Sequence, residues 1–341
     1  MDNSTKLQSI LKFCVIGCGN IATNCHGPSY IAYQKQNPDL ELTACCDIDA
    51  ESAKNFKEQF GFLRYYTNFA NMLQKEKPDA VAILISEQRI AEVAIKVMDM
   101  GFPVFTEKPP GKTLLETKAL AEAAARNEVI NHVGYNRRGI PILQKLKGMI
   151  NESKENKTIQ FLRYDLFRTN RFDEDFSDTA VHGIDAVRYL TDADYKKVHF
   201  TYQPLPEYGK NVRNIYMDCI MTSGVHTQLS FCPVAGIVIE RAMVNAKDNT
   251  WIANIPIWGY GFDQPGELTH IRDNKTVKKI SGTELCEINE VQFTNGFYYE
   301  VKEFLDNVKK GKQSTIGFKE SLNTNLIKDC ITSNATKFDA P

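Results

Sequence analysis

No stretch of this chain reaches the length of apolar sequence that crosses a bilayer, and neither sign of charge prevails. Lys plus Arg number 41 against 42 for Asp plus Glu, a formal net charge of −1. That balance gives no electrostatic reason to expect nucleic acid or an anionic membrane as a partner. Residues 1–12 are polar with one short apolar pair, and lack the basic region and apolar run of a secretory signal. The nine cysteines are scattered, without a CxxC pair or a Cys/His spacing that suggests zinc. No metal is expected. Cys14, Cys45 and Cys46 fall in apolar runs, where a thiol serves as a small hydrophobe. Internal repeats and low-complexity tracts are also missing. These absences lead us to expect a soluble, reduced, cytoplasmic protein.

At 341 residues, 43% of them hydrophobic, the chain has core material for two domains sharing a cleft. Residues 1–135 alternate apolar runs with amphipathic segments. The runs are Phe13–Ile16, Leu40–Cys46, Ala80–Ile85, Pro103–Thr106 and Ile130–Tyr135. Glu51–Phe60, Arg89–Met100 and Thr113–Arg126 lie between them as helices. Continuous apolar strands separated by helices predict a doubly wound parallel α/β sheet covered on both faces. Gly27-Pro28 should break or restart the first helix. Residues 136–341 change rhythm after a polar surface turn at 151–157. Thr158–Arg168, Lys197–Tyr202, Ile215–Ser223, Thr227–Cys232, Ile237–Ala246 and Trp251–Pro256 read as strands with few helices between them. An open, largely antiparallel sheet of α+β type follows. Helices near Thr294–Lys310 and Lys319–Asn334 close the chain.

The chemistry begins at Cys14-Val15-Ile16-Gly17-Cys18-Gly19-Asn20-Ile21-Ala22, an apolar strand entering a glycine turn and then a helix. Gly17 permits the tight turn, Gly19 lets a pyrophosphate approach the backbone, and Ala22 allows close helix–strand packing. Asp47 ends the next apolar run, somewhat later than the usual interval of ~20 residues. Its carboxylate suits a ribose diol and repels a 2′-phosphate, so NAD is expected over NADP.

Glu107-Lys108-Pro109-Pro110-Gly111 follows the fifth strand at its carboxyl end, the edge where open parallel sheets bind ligands. A lysine held there by prolines can stabilise an alkoxide as it forms; a solvated surface lysine is the alternative. Asp178, His182 and Asp185 stand at i, i+4 and i+7, opposite a stripe of Val181, Ile184, Val187 and Leu190. Histidine suits removal of a hydroxyl proton, and a nearby carboxylate would orient the ring. A cap or bridge within the helix, or an Asp/His/Asp metal site, are the other readings of His182. The other five histidines, His26, His132, His199, His226 and His270, read as structural. Gly134-Tyr135-Asn136-Arg137-Arg138 marks the domain junction, placing Asn136 toward a nicotinamide and Arg137 toward substrate. Arg163, Arg168 and Arg171 add positive charge on the substrate side, suited to carboxylate or phosphate, or form a solvated charge run.

In this order the GxGxIA turn, the acid after strand two, EKPPG, GYNRR and the DxxxHxxD helix resemble the glucose–fructose oxidoreductase / inositol dehydrogenase / rhizopine-catabolism (Gfo/Idh/MocA) family over nearly the whole chain. The resemblance implies an N-terminal Rossmann domain and a C-terminal open-sheet domain. It implies an NAD-dependent dehydrogenase of sugars, polyols or their derivatives, with Lys108, Asp178 and His182 as the catalytic trio. By that analogy cofactor contacts come from Gly17, Gly19, Asn20, Ile21, Asp47, Ile85, Glu107, Lys108 and Asn136. Substrate contacts would come from Lys108, Arg137, Arg168, Asp178 and His182, and a homo-dimer or homo-tetramer would form through the C-terminal sheet. The chain departs from the family pattern after strand four, at Ser86–Glu92, at Ala180 and in the charged segment 171–176. An NAD-dependent glycosidase using transient oxidation and a non-catalytic NAD-binding regulator are the competing functions. The regulator reading predicts loss of residues that are present here.

Overall fold

The computed structural model describes residues 10–152, 159–173, 175–259, 265–286 and 288–340. The chain divides into two compact units, 1–134 with 300–320 and 135–299 with 321–341.

The first unit is built on β1 (Leu11–Ile16), α1 (Gly27–Gln36), β2 (Leu40–Cys46), α2 (Ala50–Phe60), β3 (Arg64–Tyr66), α3 (Phe69–Glu76), β4 (Ala80–Ile83), α4 (Glu87–Asp99), β5 (Val104–Glu107), α5 (Leu114–Arg126) and β6 (Asn131–Gly134). All six strands are parallel, in the order β3-β2-β1-β4-β5-β6. Every residue of β1 but Lys12 is buried, as are all four of β4. That is the expected signature of strands with helices on both faces. The strand order reverses between β1 and β4, so the loops leaving these two strands part and open a crevice at their carboxyl ends. The expected restart of the first helix is present: a π-helical turn over Ala22–His26 runs into α1, with Pro28 in its first turn.

The second unit holds α6 (Pro141–Glu152), β7 (Phe161–Phe167), α7 (Ser177–Thr191), β8 (Tyr195–Pro204), β9 (Arg213–Met221), β10 (His226–Cys232), β11 (Ile239–Ala246), β12 (Asn249–Asn254), β13 (Glu267–Arg272) and β14 (Lys275–Ser281). Then come α8 (Gly282–Leu285), α9 (Val291–Thr294), α11 (Leu322–Thr332) and β15 (Lys337–Asp339), while α10 (Phe297–Lys310) begins in this unit and continues in the first from Glu300. Nine strands form one sheet, antiparallel except for the β7–β10 pair. Burial alternates along β7 to β12, and the inner parity packs Leu162, Tyr164, Leu166 and Trp251 with Ile184 and Val187 of α7 in one core.

Several elements exceed the sequence reading. β3, α3 and α6 carry no long apolar run, and β14 is exposed along most of its length. The helix expected near Thr294–Lys310 is α10, which begins three residues later, at Phe297, because Gly296 adopts φ of 84° between α9 and α10. The polar N-terminus to residue 9, most of the turn at 151–157, the strand start at Thr158, and Glu174 in the charged segment lie outside the described residues.

Candidate active site

In the first unit the glycine turn is dictated by space. Gly17 has φ of 99°, and a Cβ there would stand 2.2 Å from the carbonyl oxygen of Leu84, so no other residue fits. At Gly19 a Cβ would meet nothing within 4 Å, which leaves the backbone bare toward open space. Asp47 ties the turn to the end of β2: its Oδ2 accepts from the Cys18 N–H at 2.8 Å and its Oδ1 from the Asp49 N–H at 3.0 Å. Gly17, Gly19, Asp47 and Ile85 line one cleft of about 430 Å³, together with Ile48 and Asn68. Asn20 and Ile21 begin the helix that leaves this turn.

A bare glycine, an acid at the end of β2 and an apolar wall at Ile85 are the features a dinucleotide requires, so these residues fit the group. Ile48, 84% exposed beside Asp47, and Asn68 at the start of α3 were not expected from the sequence. Only the doubly wound topology, which brings the loop after β3 beside that after β2, could have pointed to Asn68. Cys46 also lines the cleft, but burial pushes its thiol up to about 12, which makes it a poor nucleophile.

Lys108 follows the last residue of β5, and its N–H donates to Oε2 of Glu107 at 3.2 Å. Glu107 is held on its other oxygen by Nε2 of His26 at 2.6 Å. Burial raises the Glu107 carboxyl, but the His26 hydrogen bond and the charges of His26 and Lys108 outweigh it, leaving the group below the usual carboxylate range. His26, read as structural from its place near a helix break, therefore supports the Glu107-Lys108 turn. Among the described residues, His26, Glu107 and Glu300 form a group whose donor atoms lie within 4.8 Å of one another. Its histidine and first glutamate are already bonded to each other.

In the second unit α7 carries Asp178 in its first turn and His182 one turn later. The helix sits close to the sheet because of Gly183, where a Cβ would lie 2.8 Å from the Phe231 ring and 3.0 Å from that of Tyr164. Oδ1 of Asp178 meets Nζ of Lys328, a buried lysine of α11, at 3.0 Å. Nε2 of His182 faces Nη1 of Arg137 at 3.5 Å. A cation thus stands at one ring nitrogen of His182. Asp185 is taken by Arg138 in a two-pronged pair, both contacts at 2.7 Å.

The arginines expected to present positive charge to substrate are each matched by a carboxylate. Arg163 pairs with Asp165 at 3.0 Å and Arg171 with Asp173 at 2.8 Å. Arg137 and Arg168 both close on Glu240, at 2.9 and 2.6 Å. Asn136, expected toward a nicotinamide, donates its amide N–H to the Asn295 carbonyl and accepts from Arg137. Glu240 and Lys328 are the residues that sequence reading missed. Glu240 had a visible signal, because it falls on the inward parity of β11 with Ala242, Val244 and Ala246.

Residues 11–135 match the model of the Gfo/Idh/MocA oxidoreductase family, NAD-binding Rossmann fold. Over these residues the chain is similar to this family. It is 25% identical over 315 residues to an inositol 2-dehydrogenase/D-chiro-inositol 3-dehydrogenase of Lacticaseibacillus casei, covering 87% of this chain and 86% of that one. Oxidoreductase P35 of Formosa agariphila is 26% identical over 147 residues, 43% of this chain and 44% of its own length. The chain thus spans under half of one of these relatives and most of the other. Among solved structures, levoglucosan dehydrogenase in complex with NADH and L-sorbose superposes with a TM-score of 0.80, covering 97% of this chain and 99% of that one at 18% identity. That likeness is one of fold.

Proposed function

We propose that this chain is a Gfo/Idh/MocA member and an NAD-dependent dehydrogenase that oxidises a hydroxyl carbon of a sugar, polyol or related derivative. The reading is supported by where each candidate sits in its own unit: Lys108 directly after β5 in the first, Asp178 and His182 one turn apart at the start of α7 in the second. His182 takes the hydroxyl proton as general base, Lys108 stabilises the oxygen as negative charge grows on it, and Asp178, held by Lys328, positions the substrate. The nicotinamide, when bound, supplies the hydride acceptor. Gly17, Gly19, Asn20, Ile21, Asp47 and Ile85 hold the dinucleotide, with Asp47 setting the preference for NAD, while Glu107 keeps Lys108 in place. The relative from L. casei bears an inositol dehydrogenase name, which supports a cyclic polyol as the first compound to try.

Among the described residues no helix is long and apolar enough to cross a membrane. All nine cysteines are free, which supports a reducing, cytoplasmic location. Association into a dimer or tetramer through the nine-stranded sheet completes the proposal.

The test is a screen of polyols, sugars and sugar acids with NAD, read by NADH absorbance. The reading expects steady NADH formation with at least one polyol or sugar. A screen that yields no NADH, or a product formed with no net change in NADH, contradicts it; the second result favours the glycosidase.

A further inference from the structure

Besides its glycines and Asp47, the cleft of the first unit is lined by Ile48, Phe69, Arg89 and Val93. Covalent chemistry sets the order in which a dinucleotide lies along it. The pyrophosphate belongs against the bare backbone at Gly19, and the adenosine ribose against Asp47 after the end of β2. The adenine is bonded to that ribose, so it falls beyond Asp47, where Ile48 stands 84% exposed. Phe69, the first residue of α3, and Val93 of α4 border the same cleft. A flat aromatic ring suits such apolar lining.

Arg89 comes to this stretch from the other side. Strands β2 and β4 lie on either side of β1, so Ile48, after β2, and Arg89, in the first turn of α4 after β4, flank the glycine turn. Arg89 and Val93 stand at i and i+4, on one face of α4. Other charged groups of α4 are already engaged. Glu92 pairs with Lys96 at 2.5 Å, Glu87 accepts from the Gln88 amide at 3.2 Å, and Asp99 holds Arg126 at 2.6 Å. Among the described residues the Arg89 guanidinium makes no ion pair or hydrogen bond. A guanidinium is planar, permanently charged and weakly hydrated, so it stacks on the face of an aromatic ring. Arg89 also lies in the segment 86–92, where the sequence departs from the Gfo/Idh/MocA pattern, so this wall of the cleft is particular to the chain.

We propose that Arg89 and Ile48 are the two jaws of an adenine subsite, the guanidinium stacking on one face of the base and the isoleucine packing on the other. The proposal rests on the first unit holding NAD. It gives Arg89 to the base and leaves the pyrophosphate to the backbone of the glycine turn.

The test is isothermal titration of the full chain with NAD and with nicotinamide cytosine dinucleotide. The two ligands share the nicotinamide half and the pyrophosphate; a single-ring base replaces the adenine in the second. The unsubstituted protein should bind NAD more tightly. In Arg89→Ala the Kd for NAD should rise about 3-fold to 30-fold, the range for a cation over an aromatic face, and that for the cytosine dinucleotide distinctly less. Ile48→Ser should narrow the preference in the same direction. Both side chains are exposed, so both variants should keep the melting temperature of the free protein. Equal weakening of the two dinucleotides in Arg89→Ala assigns that residue to the pyrophosphate and overturns the proposal. Unchanged affinities in either variant also overturn it. Failure of the unsubstituted protein to bind either dinucleotide sinks the NAD reading itself, whereas binding with an unmoved preference sinks the jaws alone.

Discussion

A single carboxylate, Asp47, does two jobs in the first unit, and they can be separated by substitution. It accepts from the N–H groups of Cys18 and Asp49, which fixes the glycine turn against the end of β2. It also lines the cleft where a ribose would sit. Asp47→Ala should lose about 1–3 kcal/mol through the two stranded donors. The preference for NAD over NADP should erode at least tenfold, by ~1.4 kcal/mol, once the repulsion of a 2′-phosphate is gone. Paired binding titrations check both cofactors; equal affinities in the unsubstituted protein would remove the role assigned to Asp47. Gly17, Gly19, Asp47 and Lys108 were legible from the sequence because backbone geometry at strand ends restricts residue type. His26, Glu240 and Lys328 were not, since each acquires its meaning from a partner far away in the chain: Glu107, Arg137 and Asp178.

Among elements, α7 and β11 hold His182 and Glu240, and both depend on close packing. Gly183→Ala would place a methyl 2.8 Å from Phe231 and 3.0 Å from Tyr164, both buried. Separation of α7 from the sheet should cost about 1–3 kcal/mol, the range for overpacking. Urea unfolding followed by tryptophan fluorescence reads this directly, because both tryptophans, Trp251 and Trp258, lie in that unit. An unchanged midpoint would mean the helix is free to shift. The pH dependence of β11 has a definite sign. The folded carboxyl of Glu240 lies at about 2, below the unfolded value of about 4.3. Its contribution is therefore full above the unfolded value and is lost as pH falls toward 2. The stability gap between the protein and Glu240→Gln should narrow from about pH 5 to about pH 3, and a constant gap would contradict the pairing. Strands β7 to β12 were legible because inner and outer residues alternate. β13 and β14 were not, being polar on both parities, and α6 offered only a helix-like stretch at the domain junction.

On the scale of the molecule, the apolar runs that form β1, β2, β4, β5 and β6 were readable, and with them a parallel sheet open to ligands at its carboxyl edge; β3 and the β1/β4 reversal were not. The return of 300–320 to the first unit was not, because its apolar spacing resembles that of any closing helix. An NAD-binding first unit should be stabilised by the cofactor through mass action, by ~2.7 kcal/mol at a hundredfold excess over Kd. A melting temperature indifferent to NAD would remove the first unit from the proposed chemistry. Sedimentation at micromolar concentration should give a mass of two or four chains; a monomer would withdraw the sheet as an assembly surface.

The proposed mechanism requires His182 to remove the proton of a hydroxyl whose carbon is oxidised by NAD. The most direct measurement compares NADH formation by the protein and by His182→Ala, with the best compound from the substrate screen and NAD affinity measured in parallel. With His182 as the base, kcat should fall about 100-fold or more, the usual yield of a positioned base, with NAD affinity nearly unchanged. Equal turnover in the two proteins would contradict it.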